Sequence, residues 1–151
     1  MTLHKLSPFL LFLVGMPALA DGESIEEKKN RADQEKRIVS LIKEVNGKCK
    51  TAIPDSGVMD WSTWKQARDG GHQAAVFCEY GITAVRNMCT DKIAQEAIAK
   101  SLKKIVCAGD AADKTSAEVR GDTLLLHTSL STTSANALQT QARDALSKNL
   151  K

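Results

Sequence analysis

Four cysteines, Cys49, Cys78, Cys89 and Cys107, limit the folds open to this chain more than any other feature. Ala75, Cys78, Ile82, Val85 and Cys89 recur at helical spacing, so 74–89 reads as a helix with two cysteines on one face. Eleven residues return to nearly the same side of a helix but lie about 16 Å apart along its axis. A disulfide needs Cα atoms within about 7 Å, so Cys78 cannot pair with Cys89. Each must reach out of the helix, to Cys49 or Cys107. Both of those sit in strand candidates, 48–53 and 105–108. A second helix over 91–103 would run back beside the first and return the chain near the level of Cys78. That order favours Cys78–Cys107 with Cys49–Cys89. The alternative, Cys49–Cys78 with Cys89–Cys107, stays open to a bent helix or a different strand order.

The amino terminus supplies the oxidising context that disulfides require. Met1 to Lys5 is short and basic, 6–14 is apolar apart from Ser7 and Pro8, and Ala18-Leu19-Ala20 precedes the polar Asp21-Gly22-Glu23. Those are the three regions of a secretory signal peptide, with cleavage expected after Ala20. The apolar run is shorter than the roughly 20 residues that span a bilayer, so no membrane span is expected. No cysteine follows the cleavage site to accept a lipid. Residues 21–151 then form one exported domain, expected in the periplasm, and an even cysteine count implies two disulfides. A zinc site would want close cysteine pairs, which are missing, and pairing leaves no free thiol for catalysis.

The domain reads as α+β: a small antiparallel sheet packed in two layers with about four helices. A long helix over 24–45 has Ile38, Leu41, Ile42 and Val45 on its apolar stripe. Only Ile25 and Ala32 continue that stripe into its first half, which is expected to project from the body or fray. Asn46-Gly47 is expected to end it. Pro54 to Gly71 reads as a long connection. Thr90 or Asp91 caps the helix that follows, and Gly81 costs the helix before it about 1 kcal/mol. Gly121-Asp122 joins two strands as a hairpin, which accounts for Arg120-Gly121-Asp122 without an adhesion role. A last helix covers 134–146.

Charge gives little direction. Without its first twenty residues the chain carries 20 basic against 18 acidic side chains, a balance that does not indicate nucleic acid. Lys28-Lys29 and Lys36-Arg37 sit among Glu26, Glu27, Asp33 and Glu35, as on a solvated helix face. The aromatic residues are more telling. Trp61, Trp64, Phe77 and Tyr80 are the only ones beyond residue 20, and both tryptophans lie in the long connection. One reading has them cover the open end of the core. The other makes the loop a protein-binding site, with Trp61 and Trp64 as anchors and Lys65, Arg68, Asp69 and His72 in a polar rim. On the second reading Trp61 packs inward and Trp64 extends the patch toward solvent.

Catalytic signatures are missing. The chain has no G-x-S-x-G, no H-E-x-x-H and no phosphate loop, and no nucleophile motif lies near His72 or His127. A carboxylate pair such as Asp60 and Asp69 needs no local motif. The expectation is nevertheless a binding protein rather than an enzyme, with no cofactor and no metal.

Cys49, Asp60-Trp61-Ser62, Cys78, Cys89 and Lys104-Ile105-Val106-Cys107 resemble the layout of small exported bacterial proteins. The general build is similar to periplasmic immunity proteins that block type VI-secreted cell-wall amidases. The resemblance implies a disulfide-stabilised, non-catalytic chain that plugs the cleft of a toxin or hydrolase effector, and it assigns no functional residue. An envelope structural or assembly factor is the alternative. Its long amino-terminal helix would then be the partner surface, open also to a homodimer. A small hydrolase ranks third.

The redox reading has a direct check. Protein recovered from the periplasm should weigh four hydrogens less than the reduced chain beginning at Asp21. Four alkylatable thiols would refute it, and a Cys78–Cys89 peptide would refute the straight helix.

Overall fold

The long helix forms and runs further than its sequence suggests. In the computed structural model, which describes residues 24–64, 74–109, 114–128 and 132–149, helix α1 spans Ile25–Cys49. The leader expected at 1–20 lies outside the described residues. Ser24 and Glu27 close a capping box, the Ser24 hydroxyl accepting the Glu27 N–H at 3.1 Å and the Glu27 carboxylate accepting the Ser24 N–H at 2.5 Å. Ile38, Leu41, Ile42 and Val45 are buried, while Ile25, 87% exposed, and Ala32, also exposed, do not continue their stripe: at about 100° per residue both fall on the opposite side of the helix.

Asn46-Gly47 does not stop the helix. It continues to Cys49 and ends at Lys50, which takes the left-handed conformation at φ 58°. The Asn46 side chain is occupied with the next segment instead. Its Oδ1 accepts the Ile53 N–H at 2.9 Å and the Thr51 hydroxyl at 2.7 Å, and its Nδ2 donates to the Ile53 carbonyl at 2.8 Å. One side chain thus satisfies both backbone groups of Ile53, and the strand expected over 48–53 is not formed.

The strand lies further on. β1 (Met59–Asp60) precedes α2 (Ala74–Met88) and α3 (Lys92–Ser101), where Asp91 is the cap, accepting the Ala94 N–H at 2.9 Å. Then come β2 (Lys104–Gly109), β3 (Ser116–Arg120), β4 (Thr123–Thr128) and α4 (Thr132–Asn149). The class is α+β, with four helices and a four-stranded sheet among the described residues. The sheet is mixed rather than antiparallel. Its order is β1-β2-β4-β3, and only β3–β4 is antiparallel. Helices α2 and α3 lie between β1 and β2, a connection long enough to bring the chain back parallel. The β3–β4 hairpin turns at Gly121-Asp122 and lays β4 parallel to β2. The Asp122 carbonyl holds that turn to the start of β2 by accepting the Lys103 and Lys104 N–H groups.

Period-2 alternation aims Ile105, Cys107, Leu124, Leu126, Ala117 and Val119 into the core. Helices α2 and α4 pack against the sheet, and α1 packs on α2 and α3. A Cβ at Gly81 would lie 2.8 Å from Leu126 Cδ1 and 3.3 Å from Leu138 Cδ2, so its absence lets α2 approach β4 and α4. The bridges are Cys49–Cys89 and Cys78–Cys107, with Cα separations of 5.1 and 6.0 Å.

A buried polar contact joins α1 to the start of α2. Gln34 is only 4% exposed, and its Oε1 accepts the Ala75 N–H at 2.9 Å. That N–H has no partner within its own helix, so a side chain from α1 caps α2. Gln34→Met keeps the volume and loses the acceptor. It should cost about 1–3 kcal/mol in urea unfolding, and unchanged stability would show the cap to be idle.

Candidate functional site

The site expected around the two tryptophans is built on the end of the sheet. The Val58 carbonyl accepts the Cys107 N–H at 2.7 Å, and Met59 and Asp60 pair with Cys107 and Ala108. Asp60 then caps a single 3-10 turn, Trp61–Thr63, accepting the Ser62 N–H at 3.2 Å and the Ser62 hydroxyl at 2.6 Å. The Thr63 hydroxyl donates to the Asp60 carbonyl at 2.7 Å and accepts the Gly109 N–H at 2.9 Å. The turn is therefore fastened both to itself and to the end of β2.

The tryptophans are placed the opposite way from the sequence expectation. Trp64 is the buried one, at 5% exposure, and Trp61 is half-buried at the surface. The cause is Gly109. A Cβ there would meet the Trp64 ring at 3.0 Å and the Thr63 carbonyl at 3.0 Å, so the missing side chain opens a slot that the Trp64 indole fills. Trp64 Nε1 finds no acceptor among the described residues. Trp64 is thus buried, which corrects the expectation that it extends the patch toward solvent.

Trp61 is held by the long helix. Its Nε1 donates to Glu35 Oε1 at 2.7 Å, and the Arg31 guanidinium lies 5.1 Å from its ring centroid. Arg31 and Glu35 are one helical turn apart on α1, their ion pair 3.5 Å long. The cation over the ring and the acceptor at its edge fix the indole in one orientation. Sequence reasoning missed both residues, placing Glu35 on a solvated helix face and leaving Arg31 unmentioned. Their spacing is a visible signal only once Trp61 is known to reach α1.

The other expected rim residues, Lys65, Arg68, Asp69 and His72, lie outside the described residues, as does half of the Asp60–Asp69 carboxylate pair. Asp60 itself is occupied as a cap. His127 is half-buried on the sheet face away from the helices, beside Ala108 and Ser116. Among the described residues no group of three or more His, Cys, Asp and Glu side chains is placed to hold a metal, and no helix is long and apolar enough to cross a membrane. Comparison with known protein families, curated proteins and solved structures finds no match.

The two tryptophans should separate in unfolding experiments. Trp64→Ala empties a packed slot and should lose about 3–5 kcal/mol. Trp61→Ala loses a surface hydrogen bond and a cation–π contact, together under about 2 kcal/mol. The reverse order in denaturant unfolding would overturn this placement.

Proposed function

We propose that this protein is an exported, periplasmic binding domain that acts on another protein, as an inhibitor or immunity protein that covers the cleft of a cell-wall-degrading hydrolase. The observation that carries the reading is Trp61: a large aromatic at the surface, oriented by Arg31 and Glu35 and mounted on a turn fastened to the sheet. Rigid aromatic anchors lose little freedom on binding, and Trp is enriched among the residues that dominate interface energies. Two disulfides support the exported setting, since such bonds persist in oxidising compartments. The residues that follow Trp64 supply Lys65, Arg68, Asp69 and His72 for a polar rim.

A second reading, an envelope assembly factor, draws on α1. Its amino-terminal half carries exposed Ile25 and Ala32 and is available to a second copy of the chain or to a scaffold partner.

The test is affinity capture from periplasm with the wild-type protein and Trp61→Ala side by side. A hydrolase retained by the wild type, lost by at least about thirtyfold in Trp61→Ala and inhibited on addition of the pure protein is the expected outcome. Equal retention of every captured protein by both forms would refute the Trp61 site. A captured hydrolase that stays fully active would refute inhibition.

A further inference from the structure

The outer face of α1 carries charge that the sequence alone conceals. Core residues Gln34, Ile38, Leu41, Ile42, Val45 and Cys49 define one side of the helix. At about 100° per residue, Lys29, Lys36 and Lys43 fall on the opposite side, in line and about 10.5 Å apart. All three are exposed, and Lys50 follows at the helix cap. The acidic residues lie beside that strip rather than on it, Asp33 reaching Lys36 from the flank; Ile25 precedes Lys29, and Ala32, Ser40 and Gly47 stand between the lysines, all exposed.

The acidic residues of α1 are on its flanks, and four of the five are engaged. Glu27 closes the capping box, Asp33 pairs with Lys36 at 3.1 Å, Glu35 accepts from Trp61, and Glu44 pairs with Arg86 of α2 at 2.6 Å. On the same flank Arg37 pairs with Glu79 at 2.9 Å. Arginines are thus used for contacts within the fold, and Lys29, Lys43 and Lys50 make no ion pair among the described residues. The mixed charge pattern of the sequence resolves into neutralised flanks and a basic ridge.

We infer that this ridge docks the protein onto an anionic phospholipid surface. The ridge runs along the outer side of one helix, a protruding line that suits a plane rather than a cleft. Its charges are lysines, compact ammonium groups suited to a diffuse layer of phosphates rather than to bidentate recognition of one group. The residues between them are small or apolar, so the backbone can approach the headgroups, and Ile25 at the amino end is 87% exposed and free to enter the interface. The ridge lies away from the Trp61 flank, so this inference does not depend on the proposed inhibitor role.

The test is co-sedimentation of the protein, purified from an exporting host, with phosphatidylcholine vesicles with and without phosphatidylglycerol. Binding should require phosphatidylglycerol and weaken at high salt. Each lysine near an anionic surface is worth about fivefold in affinity, so Lys29→Gln, Lys36→Gln and Lys43→Gln combined should lose roughly a hundredfold. All three positions are exposed and Gln is a good helix former, so thermal unfolding should stay unchanged. A control with the same loss of net charge, Lys92→Gln, Lys100→Gln and Lys114→Gln, should bind within about twofold of wild type. Equal losses in both triple variants would overturn the ridge. So would no binding to anionic vesicles, or binding to dextran sulfate but not to vesicles.

Discussion

Helix α2 is tied near both ends. Cys78, in its second turn, bonds to β2, and Cys89, just past its last residue, bonds to the end of α1. Each bridge contributes about 2–4 kcal/mol, a large share of what holds a domain of this size together. Between the two cysteines, Gly81 removes the one side chain that would keep α2 off Leu126 and Leu138. The residue that weakens the helix locally is the one that lets it lie close to β4 and α4. The sheet, α1 and α4 all take their positions from this one stapled helix, and Gln34 completes the attachment by capping it from α1.

Much of the architecture is legible in the sequence because it follows from local periodicity. The α2 stripe, the hairpin at Gly121-Asp122 and the core face of α1 each repeat within a window of one element. The geometric exclusion of Cys78–Cys89 needs nothing more, and together with the helix hairpin it leads to the observed pairing. What local pattern misleads about is settled by distant partners. Asn46-Gly47 reads as a helix stop, but Asn46 finds Ile53, and Lys48 and Cys49 find Gln95 and Cys89 from the carboxyl side. β1 is two residues long and exists only because β2 offers an edge. The parallel pairing of β2 and β4 depends on the path of the chain rather than on any residue within either strand.

Around the two tryptophans, the sequence points the wrong indole outward. Two indoles three residues apart are equivalent until Gly109, 45 residues beyond Trp64 in the chain, provides a slot for one of them. Arg31 and Glu35 then decide the exposure of the other. The same helix illustrates a division between its cations. Its arginines, with their planar forks, are spent on Glu79 and the Trp61 ring, whereas Lys29 and Lys43 are left to face solvent. Counting charges along the sequence gives near-neutrality; sorting them by face gives a ridge.

The bridges join the first cysteine to the third and the second to the fourth. Their loops are interleaved, so neither closes within a contiguous piece of chain free of the other. A chain oxidised in the order its cysteines emerge from a ribosome or a translocon would join Cys49 to Cys78, the pairing this fold does not contain. A lone 15-residue helix is marginal in water, so α2 by itself gives little protection against that early mispairing. Wherever oxidation outruns the docking of α2, thiol–disulfide exchange becomes the step that sets the yield of native protein. Disulfide reshuffling, more than disulfide formation, is what this topology demands of the cell that makes it.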